Sequence, residues 1–129
     1  MSIFVVTGDG TLAKEIVGLL RRDSHHVIVL SRRNGIDISN YEGAYYALLR
    51  STRPMTQVRH GPVAAIFNTA AWTAVDAAED HPRDAFIANA AGAENVAMIA
   101  RKLSTSLVHF STDAVFGDEN YTGTKIDAF

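Results

Sequence analysis

Four short, β-branched apolar runs punctuate the chain, and stretches of helical spacing separate them. Ile3-Phe4-Val5-Val6-Thr7 stops at Gly8-Asp9-Gly10, which reads as a strand buried on both faces and ended by a turn. Leu12, Ile16, Leu19 and Leu20 then recur at helical spacing, with Lys14, Glu15, Arg21 and Arg22 on the other side, predicting an amphipathic helix of about three turns. Val27 to Leu30 is the second strand. Tyr41 to Arg53 reads as a helix with Tyr45, Leu48 and Leu49 inward, Pro54 lying just past it and Gly61-Pro62 marking the approach to the third strand, Val63 to Phe67. Ser106 to Phe110 is the fourth. Between these two lies a helical stretch from about Pro82 to Leu103, whose small face of Ala85, Ala88, Asn89, Gly92 and Val96 would pack closely on a sheet.

Strands alternating with helices imply right-handed crossovers and a parallel sheet, most simply ordered 2-1-3-4. The fold class is therefore α/β: a half-size, Rossmann-like doubly wound domain with about four parallel strands and helices on both faces. A chain of 129 residues fits one domain, taken as residues 1–129 with an irregular tail over 117–129. In such a sheet the ligand crevice lies outside the carboxyl ends of the strands, so Asn68-Thr69-Ala70-Ala71 and Ser111-Thr112-Asp113 are expected to line one crevice. The fourth strand would be an open edge, which predicts a homodimer or a complex with a partner subunit.

Composition narrows the partners. A formal net charge of −2 with interspersed signs gives no field for nucleic acid or an anionic membrane, and a small-molecule substrate is expected instead. With no cysteine there is neither a disulfide framework nor a thiolate nucleophile, which suits a cytoplasmic protein. The five histidines show no ligand spacing, so no metal site is expected. Asp37, Asp76, Glu79 and Asp80 read as helix-capping and dipole-complementing acids.

Gly8-Asp9-Gly10-Thr11-Leu12-Ala13 is G-x-G-x-x-A between a strand and a helix, the context in which this pattern binds a dinucleotide. Gly8 would permit the tight turn, Gly10 would admit a pyrophosphate, and Ala13 would bring the helix N-terminus and its N–H groups close. A plain turn that uses glycine for its dihedrals is the competing reading. At the end of the second strand no carboxylate is present to hold ribose hydroxyls. Arg32 and Arg33 stand there instead and would pair with a 2′-phosphate, favouring NADP over NAD, unless they are simply solvated. Ser111-Thr112-Asp113 places hydroxyls where a substrate carbonyl could be held. Tyr121 and Lys125 form Y-x-x-x-K, a spacing that sets both side chains on one helix face, although Gly123 between two threonines makes a poor helix.

These residues together resemble the dTDP-4-dehydrorhamnose reductase family, a branch of the extended short-chain dehydrogenases/reductases. The resemblance is carried by Thr7-Gly8, Asp37-Ile38-Ser39, the stretch from Asn68 to Glu79, Asn89-Ala90-Ala91-Gly92-Ala93-Glu94-Asn95, and His109 to Phe116. It implies an NAD(P)H-dependent reduction of the 4-keto group of a nucleotide-linked deoxysugar. By the same resemblance Thr112 matches the catalytic threonine and Ala70-Ala71 match cofactor-lining positions, with Gly8, Gly10, Thr11, Leu12, Arg32, Arg33, Asp37 and Ile38 completing the cofactor set. Tyr121 and Lys125 complete the catalytic set, although the spacing of Tyr121 from Thr112 matches better a loop tyrosine than the catalytic one.

The chain departs from the family pattern in a glycine loop one residue short, in Ala114 where tyrosine is usual, and in an expected length that covers only the N-terminal, cofactor-binding half. Two alternatives stay open: a repurposed small enzyme without redox chemistry, and a non-catalytic binding subunit.

Overall fold

The computed structural model describes residues 1–56 and 62–112. In these residues β1 (Ile3–Thr7), β2 (His26–Leu30), β3 (Val63–Asn68) and β4 (Ser106–His109) form a parallel sheet in the order β2-β1-β3-β4, as the alternation of strands and helices predicts. The helices are α1 (Thr11–Arg22), α2 (Tyr41–Thr56), α3 (Val75–Asp80), α4 (Pro82–Phe86) and α5 (Gly92–Lys102), with a π-turn over Ile87–Ala91 joining the last two.

Side chains alternate across the strands and so make two cores. On one face Ile3, Val5, Ile28, Leu30 and Ile66 pack with Ala44 and Leu48 of α2 and with Val96, Ile99 and Ala100 of α5. On the other, Val6 and Val27 pack with Ala13 of α1 against Ile16, Val17, Leu20, Val29 and Phe67. Helices thus cover both faces.

The structure corrects four details. Leu12 and Leu19, expected on the inward side of α1, are 45% and 54% exposed, because the inward stripe runs through the buried Ala13 and the half-buried Ile16, Val17 and Leu20. The small Ala13 lies at the tight end of the helix. α2 continues through Pro54 to Thr56, past the Arg53 end that the proline predicts. α3 is a helix the pattern does not announce: none of its residues is buried, so it carries no apolar stripe. No side-chain hydrogen bond caps α3 or α4. Asp37 instead accepts from the Ser39 amide at 2.9 Å, and Asn40, accepting from the Gly43 amide at 3.0 Å, closes the first turn of α2.

At the carboxyl ends of the strands Leu30, Thr7, Asn68 and His109 stand in one row across the sheet. Three of them are joined. The buried Thr7 hydroxyl donates to Asn68 Oδ1, and Asn68 Nδ2 lies 3.0 Å from His109 Nδ1. This chain of polar contacts locks together the floor on which the site stands. No helix among the described residues is long and apolar enough to cross a membrane.

Candidate functional site

A cleft of about 660 Å³ opens just beyond that row. Three segments wall it: the Gly8-Asp9-Gly10 turn after β1, the stretch from Leu30 to Ser39 after β2, and Thr69 to Thr73 after β3; Ile87 and Ala88 of the π-turn also face it. The volume lies in the range of small-molecule sites.

The glycine turn is built for close approach. Gly8 has φ +91°, a left-handed conformation, and a Cβ there would meet Thr69 Oγ1 at 3.0 Å and the Ala70 backbone at 3.1 Å. Gly10 is the N-cap of α1 with φ −72°, and a Cβ on it would meet nothing within 4 Å. No side chain caps α1 and its first turn holds no acid, so the N–H groups of this helix end are left for solvent or an anion.

The other walls are held from behind. Thr69 Oγ1 donates to the Thr7 carbonyl at 2.6 Å, tying the β3 loop to β1. Asn89, in the π-turn, bonds both backbone groups of Trp72. Asn95, one turn into α5, donates to the carbonyls of Ile38 and Ser39, both at 2.9 Å. Gly92 lets α5 come so near that a Cβ on it would meet Ile38 Cδ1 at 3.0 Å. Asn89 was expected on the sheet-facing side of this helix, yet it turns to the loop; Gly92, Val96, Ile99 and Ala100 are the buried positions.

Of the residues singled out in the sequence, Gly8, Gly10, Arg32, Arg33, Asp37, Ile38, Ala70 and Ala71 stand together around this cleft. Thr11 and Leu12 do not line it; they occupy the first turn of α1 beside it and could reach a ligand through their amides. Asn68 is fully buried and engaged by Thr7 and His109. Ser111 and Thr112 follow β4, the strand paired with β3, and so stand next to the Asn68–Ala71 stretch, outside the lining of the cleft itself. Asp113, Tyr121, Lys125 and the tail 117–129 lie outside the described residues. Among the described residues no cluster of three or more His, Asp or Glu side chains could hold a metal ion.

Sequence reasoning missed Asp9, whose Oδ2 lies 3.0 Å from Arg33 Nε across the mouth of the cleft. Arg32 makes no ion pair among the described residues.

Comparison with known proteins gives one consistent result. Residues 1–127 match the family described as the RmlD substrate binding domain. A dTDP-4-keto-6-deoxy-D-glucose reductase of Streptomyces niveus is 36% identical over 88% of this chain and 36% of its own length. A dTDP-4-dehydrorhamnose reductase of Streptomyces griseus is 35% identical over 88% of this chain and 34% of its own. The chain therefore spans about a third of the length of the curated relatives it matches. Among solved structures, a dTDP-4-dehydrorhamnose reductase from Clostridium acetobutylicum superposes with a TM-score of 0.75 at 29% identity, covering 92% of this chain and 39% of that one. The Bacillus anthracis enzyme in complex with NADP gives 0.71 at 27% identity, covering 88% and 37%.

Proposed function

Because the chain belongs to the dTDP-4-dehydrorhamnose reductase family, we propose that it is the dinucleotide-binding domain of a reductase that uses NADPH or NADH on the 4-keto group of a nucleotide-linked deoxysugar. The observation that carries this reading is the meeting, around one cleft, of the Gly8–Gly10 turn, the uncapped end of α1, Arg32 and Arg33, and the Ala70-Ala71 wall. These residues fit a dinucleotide. Space is open at Gly10 where a diphosphate would lie, the helix end offers N–H donors to it, and guanidinium groups stand where a ribose 2′-phosphate would be met.

When bound, the cofactor supplies the hydride. The chain's own part is to place and exclude: Gly8, Gly10, Thr11 and Leu12 hold the diphosphate through backbone amides, while Asp37, Ile38, Ala70 and Ala71 wall the adenosine side. Arg32 and Arg33 are the cations on this wall that a 2′-phosphate could meet. Thr112, as the resemblance implies, holds the carbonyl oxygen by a hydrogen bond, and the Y-x-x-x-K spacing makes Tyr121 the proton donor and Lys125 the support for its ionisation. A cytoplasmic setting and a dimer covering the β4 edge complete the reading. They rest on the absence of cysteine from the sequence and on the edge position of β4 in the sheet of described residues.

Titration with NADPH and NADH, followed by quenching of the single tryptophan, Trp72, on the cleft wall, tests the proposal. Saturable NADPH binding that weakens in Arg32→Ala supports it. No binding of either nucleotide at millimolar concentration refutes it.

A further inference from the structure

We infer that Asp9 determines cofactor specificity in this cleft, by occupying Arg33 and opposing a 2′-phosphate; the inference rests on the nucleotide-binding reading above. The residue lies between the two glycines of the β1–α1 turn, and Arg33 lies in the 3₁₀ turn Arg32–Asn34 that follows β2. Hydrogen bonds from the amides of Asn34 and Ile36 to the Ser31 carbonyl, both 2.9 Å, hold that second turn, and Asn34 Nδ2 donates to the Val29 carbonyl at 3.3 Å. Each partner therefore stands on an ordered turn, and the 3.0 Å contact between Asp9 Oδ2 and Arg33 Nε spans the cleft mouth from the end of β1 to the end of β2.

A guanidinium and a carboxylate at this distance neutralise one another, so one of the two arginines invoked for the 2′-phosphate is already engaged. A 2′-phosphate on Arg33 would have to displace the carboxylate or sit beside it, and like charges at such separations repel. A ribose 2′-hydroxyl meets no such opposition. A carboxylate is an acceptor for it, and the end of β2 supplies none. Arg32, without an ion pair among the described residues, is left as the cation that recruits the phosphate unaided. The pair is solvent-accessible, the side chains being 74% and 41% exposed for Arg33 and Asp9, so its effect is a bias and not a block.

The test uses the full chain and two probes for the adenosine end, adenosine 2′,5′-bisphosphate and 5′-AMP, titrated calorimetrically into wild type, Asp9→Asn, Arg33→Ala and the double variant. The expected result is that Asp9→Asn tightens the bisphosphate by about three- to tenfold, leaves AMP within about twofold, and loses that gain when Arg33 is also removed. Weaker bisphosphate binding in Asp9→Asn would overturn the inference and make Asp9 a residue that orients Arg33. An equal change for both probes would overturn it in favour of a general charge effect. Saturable binding with an unchanged ratio sinks this inference alone, whereas no binding of either probe to any variant at millimolar concentration removes the nucleotide reading with it.

Discussion

The side-chain amide of Asn89 clasps the backbone of Trp72: its Oδ1 accepts from the Trp72 amide at 2.6 Å and its Nδ2 donates to the Trp72 carbonyl at 3.2 Å. Asn89 reaches the loop because the helix widens to a π-turn over Ile87–Ala91, a distortion that recurs at functional sites. Trp72 Nε1 bonds the Ala74 carbonyl at 3.0 Å, so the indole is fixed as well. Asn89→Ala should remove both clasping bonds at an exposed position and destabilise the domain by about 1 kcal/mol. Chemical denaturation measures this, and the emission of Trp72 should shift before global unfolding as its loop loosens.

A larger cost is expected where no water can stand in. Asn68 and Thr7 are each 1% exposed, and the Asn68 amide joins the Thr7 hydroxyl to His109 Nδ1. Asn68→Ala would leave the Thr7 hydroxyl buried without its acceptor and should cost about 2–3 kcal/mol. Thr7→Val should cost less than Asn68→Ala. The double variant should fall short of the sum of the singles, because each single change already breaks the shared bond. Additive losses in a double-mutant cycle would mean that the two residues act separately.

The sheet was readable from the chain because each strand is an apolar run bounded by glycine, proline or polar residues, and because short helical connections admit few orders for parallel strands. The position of Gly8, Gly10, Arg32, Arg33 and the Thr69–Ala71 stretch beside one cleft was readable for the same reason: loops at strand ends collect where the sheet order reverses. Other features have no periodic signature. α3 buries nothing, and Leu12 and Leu19 are indistinguishable in pattern from the leucine that does face inward, Leu20. The Asp9–Arg33 pair, and the amides of Asn89 and Asn95 on the cleft loops, are contacts between distant segments whose pairing only the folded chain decides.

Gly8 and Gly10 allow the demands of folding and of ligand contact to be separated. Gly8 has φ +91° and has Thr69 Oγ1 and the Ala70 backbone 3.0–3.1 Å from where a Cβ would sit, so Gly8→Ala combines a strained dihedral with overpacking against backbone. A loss of about 1–3 kcal/mol is expected in thermal or chemical denaturation. Gly10 has φ −72°, which alanine adopts freely, and open space around its Cβ direction. Gly10→Ala should therefore keep the fold, costing less than about 1 kcal/mol as an N-cap change. Its added methyl nevertheless fills the space a diphosphate needs at the end of α1, and NADPH affinity should fall by about tenfold or more, since close backbone approach is the reason glycine serves there. A folded Gly10→Ala protein that binds NADPH as well as wild type would show that the diphosphate does not approach this turn.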